Sequence, residues 1–187
     1  MPSDIPKRHQ ALIAPTGPGN PRNGEGAIVP LRDGRLLLAW TYFTGGGQDH
    51  AAAEIWARTS ADGGTTWNAP YLLQENTGAC NVMSVSLLRA RSGALLFGYL
   101  VKNHPSEDCR YYVRHSRDEG ASWGPPVLAT PEEGYFVVNN DRLLQTGSGR
   151  ILVPAAKRGE PRYRSTCFAS DDGGHTWFVV KRLAALP

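Results

Sequence analysis

The sequence predicts an all-β chain made of about three consecutive four-stranded sheets. Two observations lead to this prediction: one octapeptide occurs three times, and a shorter apolar landmark precedes each copy. The octapeptides begin at Ser60, Ser116 and Ser170 and read SADGGTTW, SRDEGASW and SDDGGHTW. Their Asp residues are separated by 56 and 54 residues, so the chain repeats a unit of about 55 residues.

Each unit has the pattern of a β-meander. The pairs Asp33-Gly34, Ser92-Gly93 and Ser148-Gly149 predict tight turns that enter apolar strands. Alternating segments such as Glu54–Arg58 lead into each octapeptide, and a short apolar stretch follows each Trp. A unit of this length supplies four short strands, the size of one β-propeller blade. The predicted divisions are a lead and closing strand over 1–24 and blades over 25–76, 77–132 and 133–187.

The octapeptides match the Asp-box, S/T-x-D-x-G-x-T/S-W/F, and we use that name for them below. Three copies in phase resemble the BNR/Asp-box repeat propellers of the sialidase (neuraminidase) superfamily. The resemblance implies a six-bladed β-propeller of the sialidase type, with about three blades present in this chain. The Ser and Asp side chains suit hydrogen bonds within the turn, and Gly suits its left-handed backbone. We therefore expect the Asp-box carboxylates to be structural.

Three blades are half of such a ring. The segment Gln10–Ala14 resembles an outer strand that closes a propeller, yet the third unit already has its own outer strand at Phe178–Val180. Open propeller edges expose unpaired strands and apolar faces. We therefore expect the chain to be part of a longer protein or to self-associate, so that further blades are its partners.

The predicted strand directions separate two ends of the sheets. The Asp-boxes lie at one end, whereas the starts of the inner strands and the loops between second and third strands form a rim at the other. Polar residues that strand packing does not need collect in these rim segments, which predicts the functional site there. They include Arg22, Asn23, Glu25, Asp49, His50, Asn81, Lys102, Asn103, His104, Asn139, Asn140 and Asp141.

The resemblance implies an exo-glycoside hydrolase that releases sialic acid or a related acidic sugar. On this basis Asp49, which follows a glycine-rich loop, is the predicted acid/base, and Arg22 is the predicted ligand of the sugar carboxylate. The alternatives are a solvated loop carboxylate and a surface arginine. The usual Phe/Tyr-Arg-Ile-Pro sequence is absent around Arg22, so Glu25 or Asn23 can instead occupy its rim position.

A polar cluster inside an otherwise apolar segment predicts further substrate contacts. Asn139, Asn140 and Asp141 suit sugar hydroxyl groups, and the alternative interpretation is a capped turn. His50 and Asn81, from the rim loops, complete the predicted substrate-binding set, although single loop histidines are commonly only solvated.

In the sialidases that the chain resembles, a Tyr activated by a Glu attacks the anomeric carbon and three Arg side chains bind the carboxylate. The Tyr, the Glu and two of these Arg residues are expected beyond Pro187, so we expect the chain alone to be inactive. Two other classes stay open: a non-catalytic propeller that binds glycan or protein, and a different glycoside hydrolase or lyase on the same scaffold.

Composition excludes several other classes. The 20 basic and 17 acidic residues are scattered, so no nucleic-acid-binding stripe is present. No apolar run suits a signal peptide or a membrane span, which predicts a soluble, cytoplasmic chain without a membrane partner. Three cysteines without CxxC spacing predict free thiols, and Asp171 and Asp172 lack the remaining ligands of an EF-hand. No metal or cofactor is expected.

Overall fold

The computed structural model describes residues 12–180, apart from the side chain of Glu25, and all regular secondary structure in that range is β-strand. That range contains no helix long and apolar enough to span a membrane. The first sheet contains β1 (Arg22–Pro30), β2 (Leu36–Phe43), β3 (Ala53–Ser60) and β4 (Tyr71–Gln74). The second contains β5 (Asn81–Arg89), β6 (Leu95–Lys102), β7 (Cys109–Ser116) and β8 (Val127–Leu128). The third contains β9 (Phe136–Val137), β10 (Leu144–Gln145), β11 (Ile151–Lys157), β12 (Arg164–Ser170) and β13 (Phe178–Val179). The predicted all-β chain of three successive sheets is confirmed.

Each sheet is an antiparallel meander in which strands adjacent in sequence pair with each other. In the first sheet Arg22 pairs with Phe43, which also pairs with Ala53, so the start of β1 and the β2–β3 loop lie at one end. Leu36 pairs with Ser60 at the other end, where the first Asp-box begins. The second and third sheets repeat this register. The rim loops and the Asp-boxes are therefore at opposite ends of the sheets, as predicted.

The inner edge of the third sheet departs from the four-strand pattern. Two short strands, β9 and β10, replace a single inner strand, and both pair with β11. Phe136 pairs with Lys157 and Leu144 with Leu152, so the residues between β9 and β10 leave the ladder. This interruption coincides with the polar cluster that the sequence analysis singled out.

The Asp-boxes close on themselves through a repeated set of hydrogen bonds. The Ser60 hydroxyl donates to Asp62 Oδ1 at 2.8 Å and accepts from the Gly64 amide at 2.9 Å. Asp62 also accepts from the hydroxyl and the amide of Thr66, at 2.6 and 2.8 Å. The hydrogen bonds lower the pKa of Asp62 to about 2, and the bond from the Thr66 hydroxyl has the largest effect. The other two boxes repeat the arrangement, so each carboxylate is committed to its own turn.

The core lies between the sheets, and β6 is at its centre with all of its residues buried. Phe97 belongs to the apolar cluster between the first and second sheets, together with Ile55. Leu96 points the other way, into a second cluster that includes Phe168 of the third sheet. Side chains alternate between the faces of a strand, and each fully buried one contributes about 1.5–3 kcal/mol. The sheets therefore stack face to face like consecutive blades.

The predicted closing strand falls partly outside the described residues. Gln10 and Ala11 lie outside, and residues 12–14 form no strand. The Leu12 side chain is 80% exposed. Strand β1 already begins at Arg22, within the segment assigned to the lead, and the closing strand and blade boundaries stay predictions.

The three cysteines are free thiols, as predicted. Cys80 and Cys167 are half-buried, and Cys109 is buried at the start of β7. Burial raises the pKa of Cys109 to about 12, so this thiol is protonated at neutral pH. Its position indicates a packing role.

Candidate functional site

A cleft of about 560 Å³ lies at the rim end of the sheets. It forms where the inner strands and rim loops of all three sheets meet, so residues far apart in the sequence share one wall. Its charged and polar lining residues are Arg22, Asp49, Ser84, Lys102, Asn139, Asn140, Asp141 and Arg142. Five of the residues predicted from sequence are therefore brought together, namely Arg22, Asp49, Asn139, Asn140 and Asp141.

The inner strands of the first two sheets both bulge near the cleft. The register of β1 shifts after Asn23, and that of β5 shifts after Met83. Ser84, in the second bulge, has a φ of 61°, and its amide donates to Thr41 Oγ1 of the first sheet at 3.2 Å. A bulge takes backbone groups out of the ladder and re-aims them. The second blade therefore offers backbone groups to its neighbours at this point.

The polar cluster of the third sheet docks on the β5 bulge. The Val85 amide donates to Asn140 Oδ1 at 3.0 Å, and the Asp141 amide donates to the Val85 carbonyl at 2.8 Å. The Arg142 amide donates to Ser86 Oγ at 3.0 Å. These bonds hold the residues between β9 and β10 against the second blade. They explain why the inner strand is interrupted, and they fix its polar side chains at the cleft wall.

Arg22 and Asp49 form an ion pair at one side of the cleft. Arg22 Nη1 donates to Asp49 Oδ1 at 2.7 Å and to the Gly47 carbonyl at 3.0 Å. The guanidinium lies over the Phe43 ring, 4.4 Å from its centroid. The hydrogen bond from Arg22 lowers the pKa of Asp49 against the opposing effect of burial, and the charge of Lys102 adds to the lowering. Asp49 is thus held as a carboxylate in this structure.

Two predicted site residues lie outside the cleft wall, and the side chain of a third is not described. Asn81 is fully buried, and its side-chain amide donates to the carbonyls of Asp49 and Ala51 at 3.0 and 2.8 Å. It therefore holds the Asp49 loop instead of facing the cleft. His50 is exposed in the same loop, and Glu25 lies in β1 with its side chain outside the described part of the structure.

The structure does not favour Asn23 as a replacement for Arg22. Asn23 Oδ1 accepts from Trp40 Nε1 at 3.0 Å, and Asn23 Nδ2 donates to the Ala14 carbonyl at 2.9 Å. The Asn23 amide is therefore used within the first blade, whereas Arg22 lines the cleft. The functional roles of both residues stay predictions.

Four lining residues with polar or charged side chains were not assigned to the site from sequence. Lys102 is recognised there only as a polar residue of the rim, and Ser84, Tyr135 and Arg142 have no predicted role. A lysine that ends an otherwise apolar strand, as Lys102 ends β6, is a usable signal because a charge at such a position requires a partner. The bulge at Ser84 has no comparable signal in the sequence.

The donors in the cleft suit an anionic organic ligand. Guanidinium, ammonium and amide groups recognise carboxylates and hydroxyl groups through hydrogen bonds. Within residues 12–180 no group of three or more His, Cys, Asp or Glu side chains is arranged to hold a metal ion.

Several solved structures share this fold. A variant of the NanB sialidase from Streptococcus pneumoniae superposes with a TM-score of 0.73 at 14% identity, and the match covers 95% of this chain and 47% of the NanB chain. A leech intramolecular trans-sialidase superposes with a TM-score of 0.70 at 13% identity, and the match covers 95% of this chain and 46% of the leech protein. A Trypanosoma rangeli sialidase in complex with sialic acid superposes with a TM-score of 0.62 at 21% identity, and the match covers 82% of this chain and 29% of that sialidase. The chain spans less than half the length of each of these proteins.

These structures confirm the sialidase-type propeller fold, with three blades in this chain. No curated protein has a significantly similar sequence. The sequence does match the BNR repeat-like domain family over residues 34–184, which is most of its length. The chain therefore belongs to the BNR repeat-like domain family.

Proposed function

We propose that this chain forms one side of the active site of an exo-glycoside hydrolase that releases terminal sialic acid or a related acidic sugar. The observation that carries the proposal is the ion pair of Arg22 and Asp49 at the wall of a polar cleft. A guanidinium that binds the sugar carboxylate and a carboxyl group that protonates the leaving oxygen are both needed near the anomeric centre.

The charges of the cleft suit a ligand with one negative charge. Among the described lining residues, Arg22, Lys102 and Arg142 bring three positive charges, against two negative charges from Asp49 and Asp141. A planar guanidinium binds a carboxylate through parallel hydrogen bonds, which fixes the orientation of the sugar as well as supplying affinity. The amide groups of Asn139 and Asn140 in the lining complement sugar hydroxyl groups.

In the ligand-free state the two groups restrain each other. Arg22 stabilises the ionised form of Asp49, whereas a general acid must be protonated. A substrate carboxylate competes with Asp49 for Arg22. Once it takes over the guanidinium, Asp49 loses the hydrogen bond that lowers its pKa, and burial beneath the sugar raises the pKa further. Substrate binding therefore converts Asp49 into a proton donor.

The chain alone is expected to lack hydrolytic activity. The resemblance implies that the nucleophilic Tyr, its Glu partner and two Arg residues lie on further blades. Tyr135 lines the cleft, but nothing in its surroundings identifies it as a nucleophile. We propose that further blades, from a longer protein or a second copy, complete the site.

Hydrolysis of fluorogenic glycosides tests the proposal. The full-length protein is expected to release the fluorophore from an α-sialoside and not from neutral galactosides or glucosides of the same fluorophore. The 187-residue chain is expected to show no turnover of either. Release from the neutral glycosides alone would contradict the proposed substrate class, and rapid turnover by the isolated chain would contradict the shared site.

A non-catalytic glycan receptor is the second candidate. It is favoured by the ion pair itself, because a carboxylate held ionised by Arg22 serves binding without proton transfer. This candidate predicts that the full-length protein binds a sialoside measurably by calorimetry and leaves it intact.

A further inference from the structure

Lys102 is a buried ammonium group at the junction of three blades. It ends β6, and only 4% of the residue is exposed. Its Nζ donates to the backbone carbonyl of Asp49 in the first blade at 2.7 Å. The same nitrogen lies 5.7 Å from the ring centroid of Tyr135, which leads into the third blade. Because a buried charge is costly unless it is hydrogen-bonded, this side chain strongly favours the observed arrangement of the loop.

Asn81 is a second donor to the same carbonyl. It pairs with Lys102 across the β5–β6 ladder, so both side chains start from neighbouring positions. Its amide nitrogen lies 3.0 Å from the Asp49 oxygen and 2.8 Å from the Ala51 oxygen. Two donors of the second blade therefore converge on one carbonyl of the first.

The loop that carries Asp49 depends on such outside support. Its closing backbone bonds run from the amides of Thr44 and Gly45 to the Ala52 carbonyl, at 2.8 and 3.1 Å. One further bond, from the Ala51 amide to the Gln48 carbonyl, spans its tip. A glycine-rich loop loses considerable conformational entropy when it is ordered. The contacts from the second blade counteract this tendency to open.

We infer that Lys102, together with Asn81, is a positioning residue that fixes the backbone of Asp49 so that its carboxylate faces Arg22 and the cleft. The catalytic consequence rests on the proposed function, whereas the contact with the loop does not. A displacement of about 1 Å at a reacting group lowers a rate about 100-fold, so a fixed backbone at this position matters for proton transfer.

Hydrogen exchange of the 187-residue chain tests the contact independently of activity. Lys102→Met removes the ammonium and keeps a side chain of similar length. The amides of Thr44, Gly45 and Ala51 are expected to exchange at least about 10-fold faster, because loop opening becomes easier. Amides in β6 and β7 should exchange at their original rates. Unchanged exchange in the loop would overturn the inference.

Lys157→Met is the matched control. Lys157 also lies near an aromatic ring, with Nζ 5.3 Å from the centroid of Phe136, and it pairs with Glu132 at 2.7 Å. It makes no described contact with the Asp49 loop, so loop exchange should not change. If circular dichroism shows that Lys102→Met fails to fold, Asn81→Ala removes the other donor and is expected to give the same loop-specific acceleration.

A double-mutant cycle in the full-length protein tests the link to catalysis. Lys102→Met is expected to lower kcat for an α-sialoside about 10- to 100-fold, a larger factor than the rise in KM that the loss of one positive charge in the cleft causes. In the Asp49→Asn background the same change should have no further effect on kcat, because Lys102 acts through Asp49. If the two substitutions lower kcat by independent factors that multiply in the double variant, the positioning role is overturned. If Asp49→Asn alone leaves hydrolysis intact, the proposed function fails, and hydrogen exchange still decides the loop contact.

Discussion

The two ends of the sheets use their polar residues in opposite ways. At the Asp-box end, side chains such as Ser60 and Asp62 are satisfied within a single turn of eight residues, and three turns repeat the pattern. At the rim, polar groups reach from one blade to the next, as Lys102 does to the Asp49 carbonyl. The repeated groups build the sheets, and the groups that depart from the repeat build the cleft.

The largest expected effect is a loss of hydrolytic activity when the rim residue Asp49 is changed. Asp49→Asn keeps the size of the side chain and removes its ability to transfer a proton. We expect kcat/KM of the full-length protein for an α-sialoside to fall about 10²- to 10⁴-fold, the usual contribution of a general acid. The unfolding free energy should barely change, because exposed ion pairs contribute only about 0–1 kcal/mol.

Asp33→Asn is the control at the other end. Asp33 pairs with Arg35 Nε at 2.7 Å, the same distance as in the rim pair, but it lies in a hairpin turn beside the Asp-boxes. This variant should retain full activity. Equal activity in the Asp33 and Asp49 variants would remove the functional distinction between the two ends.

The second effect concerns stability at the Asp-box end. Ser60 is 1% exposed, and its hydroxyl bonds to Asp62 and to the Gly64 amide. Ser60→Ala leaves the half-buried Gly64 amide without this acceptor, so we expect a loss of about 1–3 kcal/mol in the unfolding free energy from urea titration. Ser92→Ala, in an exposed turn, should lose far less. Similar losses of unfolding free energy in both variants would show that the Asp-box hydroxyl stabilises the fold no more than the hydroxyl of an exposed turn.

The sequence predicts one end of the molecule much better than the other. The Asp-box bonds join residues within one octapeptide, so the spacing of Ser60, Asp62 and Thr66 already determines their partners. The cleft depends on contacts such as that of Val85 with Asn140, which are 55 residues apart and meet only after the blades pack. The β5 bulge that makes this contact possible leaves no pattern in the residue types. Composition therefore identifies the rim, whereas packing decides which rim residues meet.

The second Asp-box is an exception to the rule that the turns at this end are satisfied within one octapeptide. Glu119 has a φ of 59° at the position where the other boxes have Gly63 and Gly173, with φ values of 70° and 77°. Its carboxylate accepts from Arg89 Nη1 at 3.0 Å and from the Arg32 amide of the first blade at 2.8 Å. A left-handed backbone is unfavourable for a residue with a Cβ atom. Here the contact between blades stabilises a conformation that the repeat normally assigns to glycine.

Two variants of Glu119 sharpen this exception. Glu119→Gly loses the ion pair and relieves the backbone, whereas Glu119→Ala loses the pair and keeps the strain. We expect the Ala variant to be less stable than the Gly variant by about 1 kcal/mol in urea titration. Gly63→Ala serves as the control, because an added Cβ there meets no atom within 4 Å, and it should lose a similar amount. An Ala variant as stable as the Gly variant would show that φ carries no strain at this position.

The smallest expected effect is a pH dependence that links two blades at the Asp-box end. The His115 ring stacks on His175 with centroids 4.5 Å apart, and its Nε2 lies 2.9 Å from the Gly173 carbonyl. Burial lowers the pKa of His115, and the charges of His175 and Arg117 add to this against the opposing hydrogen bond with Gly173. The folded state therefore binds a proton at His115 less readily than the unfolded state does.

The sign of the effect follows from linkage. As the pH falls through about 6.5, the unfolded chain takes up the proton first, so the unfolding free energy decreases until His115 is also protonated in the folded state. Urea titrations between about pH 7.5 and 5 should show this decrease. In His115→Gln, which keeps a donor near the Gly173 carbonyl and cannot titrate, the decrease should be smaller over the same interval. An equal decrease in both proteins would assign the pH dependence to other groups and leave the Asp-box end without a titrating contact between blades.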